Sequence, residues 1–279
     1  MKKRWFFLVV LMVSGSMGAE ARAGAIHYAA RKGRLEKVKS LVSKAPGLVN
    51  DRDRRERTPL HWAAAYNRME VGRYLLRKGA KANAKDDIGW TPLHHAVRYD
   101  YKEFALMLVS KGAKVDERDN DGETPFHIAA SEGSKKSVML LLGKGADLNT
   151  RNNWGMTPLY MVAGSKNDMA ETLLELGADP NLANTSGVTP LHTACVLGDK
   201  NAAQILISHG ARLDMPTDSG DTPLHWAVLS GSGQVVLLLL STGADLNLKN
   251  SHGQTPLDLA IEEGNKKITE LLRKQGKQK

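Results

Sequence analysis

The longest uninterrupted apolar stretch, residues 5–13, stands at the start of the chain, just behind Met1-Lys2-Lys3-Arg4. Beyond it the apolar positions come in short pairs of two kinds that alternate. Small pairs, such as Ala63-Ala64 and Ala129-Ala130, predict a first helix that approaches its neighbour closely. Aliphatic pairs follow (Leu75-Leu76, Leu108-Val109, Leu141-Leu142, Leu173-Leu174, Leu206-Ile207, Leu239-Leu240) and predict a second helix. Between the two kinds stand Asn67, Asp100, Gly133, Gly198, Gly231 and Gly264, residue types that tolerate the left-handed conformation of a tight turn. The second helix stops at glycine, as in Gly79-Ala80 and Gly243-Ala244, because glycine closes a helix in that conformation without steric penalty.

Each pair of helices opens on one tetrapeptide. Near-copies of Thr58-Pro59-Leu60-His61 recur at Thr91, Thr124, Thr157, Thr189, Thr222 and Thr255, with spacings of 33, 33, 33, 32, 33 and 33 residues. Threonine caps a helix by accepting a bond from a first-turn N–H, and proline at the first helical position loses nothing by lacking its own. Ile26-His27-Tyr28-Ala29-Ala30 continues the pattern backwards, with one extra residue in an altered loop at residues 44–50. A fixed period of this length marks stacked repeats that bury their apolar faces only against one another. The unit resembles the ankyrin repeat, from about Ala25 to the C-terminus. The resemblance implies an all-α solenoid of about eight helix-turn-helix units with projecting hairpin-like fingers. The expected division is a cap unit over about 24–57, six full units over 58–254 and a cap unit over 255–279. The unit at Thr157 is one residue short around residues 164–167, read as a tightened turn.

The basic start, short apolar centre and small residues up to Ala19-Glu20-Ala21 are the three parts of a secretory signal over residues 1–21. Cleavage after Ala19, Ala21 or Ala23 fits; an uncleaved anchor is the rival reading. The layout resembles a bacterial signal, which implies the periplasm or export beyond it. The single cysteine, Cys195, excludes a disulfide framework within the chain.

Catalytic chemistry is not expected. His27, His61, His94, His127, His192 and His225 share one repeat position, where the resemblance assigns the imidazole to fixing the turn. Their rungs lie roughly 8–10 Å apart, too far to share a metal ion. Cys195 replaces a small packing residue, and neither a phosphate-binding glycine loop nor a nucleophile elbow occurs. No cofactor and no metal is therefore expected.

Binding is the expected role. The resemblance places protein contacts on the finger tips and inner helices, along a concave groove. Four positions after the threonine stand Trp62, His95, Ile128, Met161, Thr193, Trp226 and Leu259, and one turn further on come Tyr66 and Tyr99. The fingers add Trp90 and Trp154. Charge is uneven: residues 22–85 carry 17 Lys and Arg against 5 Asp and Glu, whereas residues 86–264 carry 13 against 23. Arg52, Arg54, Arg55 and Arg57 crowd the first finger, where Glu56 replaces the glycine of later fingers. The expected site therefore joins Arg54, Arg55 and Arg57 to Trp62, Tyr66, Trp90, His95, Tyr99 and Trp154. Its expected partner is a protein with an acidic patch, met by a monomer, with weak contact to an anionic membrane surface as a secondary possibility. Export argues against nucleic acid. The function expected is a non-enzymatic periplasmic scaffold. An accessory of catalase or peroxide defence and an exported effector acting on a host or competitor protein are the alternatives.

Overall fold

The computed structural model describes residues 24–164 and 168–276; the leader sequence and the shortened turn at residues 165–167 lie outside them. Sixteen α-helices and one 3-10 helix, Pro46–Asn50, occur among the described residues, with no strand. None of the helices is long and apolar enough to cross a membrane. The chain divides into two compact units, residues 1–120 and 121–279.

The first unit holds α1 (Ala25–Arg31), α2 (Leu35–Lys44), α3 (Pro59–Ala65), α4 (Met69–Arg77), α5 (Pro92–Arg98) and α6 (Lys102–Ser110). The extra residue of its first loop is taken up by the 3-10 turn. The second unit holds α7 (Pro125–Ser131), α8 (Lys135–Leu142), α9 (Pro158–Val162), α10 (Met169–Glu175), α11 (Pro190–Val196), α12 (Lys200–Ser208), α13 (Pro223–Leu229), α14 (Gly233–Ser241), α15 (Pro256–Glu262) and α16 (Lys266–Gly276). Odd-numbered helices open on the Thr-Pro signature from α3 onward; even-numbered ones other than α10 follow a turn holding one left-handed residue. Asn67 and Asp100 take that conformation at φ 52° and 54°, where later units use glycine.

Helix starts and stacking are fixed by the same histidine. At α3, the Thr58 N–H donates to His61 Nδ1 at 3.0 Å, while His61 Nε2 donates to the Trp90 carbonyl of the next finger at 3.0 Å. His127, His192 and His225 repeat this in the second unit, reaching the carbonyls of Met156, Asp221 and Gln254. A ring that accepts at Nδ1 and donates at Nε2 is the neutral tautomer, and protonation would set two donors face to face. Burial accordingly lowers His61 to about 3, the neighbouring His95 adding to the effect, and burial lowers His192 to about 4. Tyr160 stands where the unit at Thr157 would have histidine, and its hydroxyl meets Asn184 instead, at 3.2 Å.

The core is aliphatic and small. Ala63, Ala64, Ala96, Val97, Ala129 and Ala130 are buried between inner helices, and Leu75, Leu108, Leu141, Leu173 and Leu239 between inner and outer ones. Cys195 is fully buried among them, and burial pushes its thiol pKa up.

Candidate functional site

Most fingers are turns closed by one acidic or amide side chain; in the finger at residues 217–221 the Thr217 hydroxyl accepts the Asp221 N–H instead, at 3.2 Å. In the first, Asp53 Oδ1 accepts the N–H groups of Arg55 and Arg57 at 2.8 and 3.0 Å. Asp86 does the same for Ile88 and Trp90, and Asn152, Asn184 and Asn250 follow in the second unit. Adjacent fingers are joined by backbone bonds, Asp87 N–H to the Arg55 carbonyl at 3.0 Å and Asn120 N–H to the Ile88 carbonyl at 3.1 Å.

The second carboxylate oxygen of the finger aspartate turns toward the inner helix. Trp62 donates its indole N–H to Asp53 Oδ2 at 3.0 Å, and His95 Nε2 meets Asp86 Oδ2 at 3.1 Å. The position four residues past the threonine, expected to be free for a partner, is therefore committed to the fold in these two repeats. In the second unit it is buried at Ile128 and Leu259, which are 5% and 8% exposed. Trp90 is likewise anchored, its indole bonded to Asp119 Oδ2 at 3.0 Å and its ring 5.2 Å from His95. The tryptophans and His95 act as a base on which other side chains rest.

What rests on them is cationic and aromatic. The Arg57 guanidinium lies 4.0 Å from the Trp62 ring centre, and Arg31 lies 5.6 Å from Trp62 and 5.0 Å from Tyr66. Tyr66 stacks on Trp62 at 5.9 Å. One repeat further on, Arg98 sits 5.4 Å from Trp90 and 5.6 Å from Tyr99. Tyr66 and Tyr99 are the open members, at 38% and 51% exposure. Contacts of this kind hold a guanidinium by its face while its N–H edge keeps its donor geometry. Arg31 and Arg98 were absent from the residues expected to form the site. The signal was present, since both stand one place before the tyrosine-bearing turn position, counting the first unit backwards from His27.

The finger arginines are less available than their number suggests. Arg57 pairs with Asp53 at 3.1 Å, Arg55 with Asp87 at 3.6 Å and Arg52 with Glu56 at 2.8 Å. Burial opposes ionisation of Asp53, but the Arg57 charge, the two N–H donors and the Trp62 indole outweigh it and lower its pKa. Arg54 is exposed. Trp154 belongs to the second unit, 42% exposed on its finger. The open inner-helix positions of that unit include aliphatic ones: Val196, Leu229 and Ile261 are 44%, 48% and 49% exposed, and Leu197, just past α11, is 59% exposed. Val196 and Leu229 were absent from the residues expected to form the site, because an aliphatic residue in a helix reads as core until packing places it outside.

Among the described residues no three His, Cys, Asp or Glu side chains gather as metal ligands.

Comparison with known proteins agrees with this architecture. The family description "Ankyrin repeats (3 copies)" matches residues 26–119, 112–184 and 168–250, and "Ankyrin repeat" matches 252–278. The crystal structure of the ankyrin repeat domain of Bcl-3 superposes with a TM-score of 0.70 at 31% identity, over 78% of this chain and 98% of that one. The 26S proteasome non-ATPase regulatory subunit 10 of Homo sapiens is 38% identical over 61 residues, covering 22% of this chain and 27% of the subunit. Alpha-latrocrustotoxin-Lt1a of Latrodectus tredecimguttatus is 44% identical over 62 residues, 22% of this chain and only 4% of the toxin. The matched stretches thus span about a quarter or less of these two relatives. By period, capping chemistry, helix order and match along nearly its whole described length, the chain belongs to the ankyrin repeat family.

Proposed function

We propose that the protein is an exported, non-enzymatic scaffold that binds an acidic protein partner on the inner-helix surface of its first unit. Ankyrin repeats are in general protein-interaction modules, and the partner's chemistry is read here from the side chains. The observation that carries the reading is the layered arrangement of Arg31 on Trp62 and Tyr66, and of Arg98 on Trp90 and Tyr99. Anchored indoles hold guanidiniums and tyrosines in place before a partner arrives, so little side-chain freedom remains to be lost on binding. Tyrosine and arginine are also the residue types that dominate interface energies. The partner contributes apolar groups to the tyrosine faces, and its acidic surface is drawn by the excess of Lys and Arg over residues 22–85.

Export rests on the leader: three basic residues, the apolar run of residues 5–13 and the small residues that follow. N-terminal sequencing of the protein recovered from its native compartment tests it, with the mature chain expected to begin between Glu20 and Gly24.

Crosslinking in that compartment tests the binding surface. Capture of a partner by the wild type should be lost in a Tyr66→Ala/Tyr99→Ala/Arg98→Ala variant whose circular dichroism and melting remain cooperative. Equal capture by both proteins would overturn the assignment of this surface.

A further inference from the structure

The outer helices of the first unit form a second surface with its own chemistry. Helices α4 and α6 lie side by side, with Val71, Leu75, Phe104 and Leu108 buried beneath them. Between them is an open hollow of about 470 Å3 whose apolar lining residues are Met69, Leu76, Leu106 and Met107. Leu106 stands 42% exposed at this place. Arg73 and Lys111 line the same hollow, with Glu103 toward the N-terminal end of α6.

The charge around it is lopsided. Residues 69–81 and 102–114 carry seven Lys and Arg against two acids, Glu70 and Glu103. The cations gather where both helices end: Arg77, Lys78 and Lys111 are all exposed there. Cations at helix C-termini are favoured by the helix dipole, which accounts for their placement but not for the solvent-facing leucine and the apolar lining beside them.

We propose that this hollow is a docking groove for an acidic amphipathic helix of a partner protein. A depression between two helices accepts protruding aliphatic side chains, as a helix laid into a groove supplies at every third or fourth position. A bilayer presents a broad face and leaves such a depression unfilled. Carboxylates flanking the aliphatic stripe then meet Arg73, Arg77 and Lys111 along the rim. This groove involves none of the residues assigned to the inner-helix surface, so it stands or falls independently of that proposal.

The test uses the full chain and a fluorescein-labelled 16-residue peptide with leucines at helical i, i+3, i+4 and i+7 spacing and glutamates elsewhere. A matching peptide with lysines in place of the glutamates is the control. Fluorescence anisotropy should show saturable binding of the glutamate peptide only. Leu106→Glu should weaken it at least tenfold, and Arg77→Glu/Lys111→Glu should do the same, while Tyr99→Ala leaves it unchanged. All these positions are exposed, and melting curves establish that each variant folds. No binding, equal binding by wild type and Leu106→Glu, or equal binding of the lysine peptide would overturn the proposal. Leu106-dependent sedimentation with phosphatidylglycerol vesicles, without peptide binding, would also overturn it and assign the face to a membrane.

Discussion

Asp53 and Trp62 are joined by a 3.0 Å hydrogen bond between a finger carboxylate and an inner-helix indole, nine residues apart. Asp86 and His95 repeat the relation at the same separation, 3.1 Å apart. One carboxylate thus ties its own finger turn to the helix that follows, and in the first finger it also anchors the Arg57 guanidinium. This side chain is only 4% exposed. Removing it leaves several donors without an acceptor, and hydrogen bonds to charged groups are worth roughly 1.5–3 kcal/mol. Asp53→Ala is expected to cost about 2–3 kcal/mol and to shift the tryptophan fluorescence to longer wavelength as Trp62 loosens. A melting temperature and emission spectrum matching the wild type would show that the carboxylate does not hold the finger.

Glycine at position 72 is a packing requirement. It sits in the middle of α4 with an ordinary helical backbone, where alanine would normally add stability. A Cβ there would come 2.5 Å from Phe104 Cζ and 2.9 Å from its Cε2. Phe104 is fully buried, so its ring can yield only by displacing packed neighbours. Overpacking of this kind costs typically 1–3 kcal/mol. Chemical denaturation of Gly72→Ala should show a loss of that order, and Phe104→Leu added to it should recover part of the loss. A Gly72→Ala protein at least as stable as the parent would mean that α4 and α6 shift apart freely.

The repeat itself was legible because each signature residue acts locally. Threonine caps within its own turn, and glycine or asparagine closes the turn nine residues on, so the residues announce the element. The histidine's turn-fixing role came from the family resemblance; its second bond, to a carbonyl 29 residues on in the next finger, was not foreseen. The site was less legible, because exposure depends on which side chains the fold brings together, both within a repeat and from the next one. Trp62, Trp90 and His95 look alike as candidates for binding, yet each finds a carboxylate from a finger. Glu56 was visible as the odd residue of its finger, and its φ of 57° is the left-handed value taken by glycine in the later fingers. What the sequence did not convey was which arginines are already engaged by Asp53, Asp87 and Glu56.

That φ makes Glu56 testable in turn. A left-handed non-glycine residue costs roughly 1–2 kcal/mol, while glycine brings a more flexible unfolded chain. The Arg52–Glu56 pair is exposed on both sides and adds little. Glu56→Gly is therefore expected to be neutral or to stabilise by up to about 1 kcal/mol, measured by thermal melting. A loss above that figure would show the ion pair to matter more than the backbone.

Cys195 supplies a probe of opening. Its side chain is fully buried and burial raises its pKa, so the reactive thiolate is suppressed twice over. Ellman's reagent should leave it untouched in the native protein and modify it at a rate that rises with denaturant in step with unfolding. Rapid labelling at neutral pH without denaturant would place α11 in a looser environment than its packing indicates.

Acid should destabilise the fold well before the carboxylates protonate. His61 and His192 are held neutral, lowered to about 3 and about 4 from a usual value near 6.5. Between about pH 6.5 and 4 the unfolded chain therefore binds protons that the folded chain refuses, so stability falls as pH falls. The slope is at most roughly 1.4 kcal/mol per pH unit for each histidine, and it vanishes above pH 6.5, where both states are neutral. Asp53 and Asp86 act in the same direction at lower pH. Burial opposes their ionisation, yet Arg57 and the finger N–H groups on Asp53, and His95 and the Trp90 N–H on Asp86, lower both pKa values. Their contribution is present above the usual 3.8 and is lost as pH falls through the folded values. Melting temperatures from pH 7.5 to 4.5 should drop steadily below pH 6.5. His192→Gln should start lower at pH 7.5, having lost the bond to Asp221, but decline less steeply. Parallel curves for the two proteins would mean that His192 protonates in place and that the turn it fixes survives a charged ring.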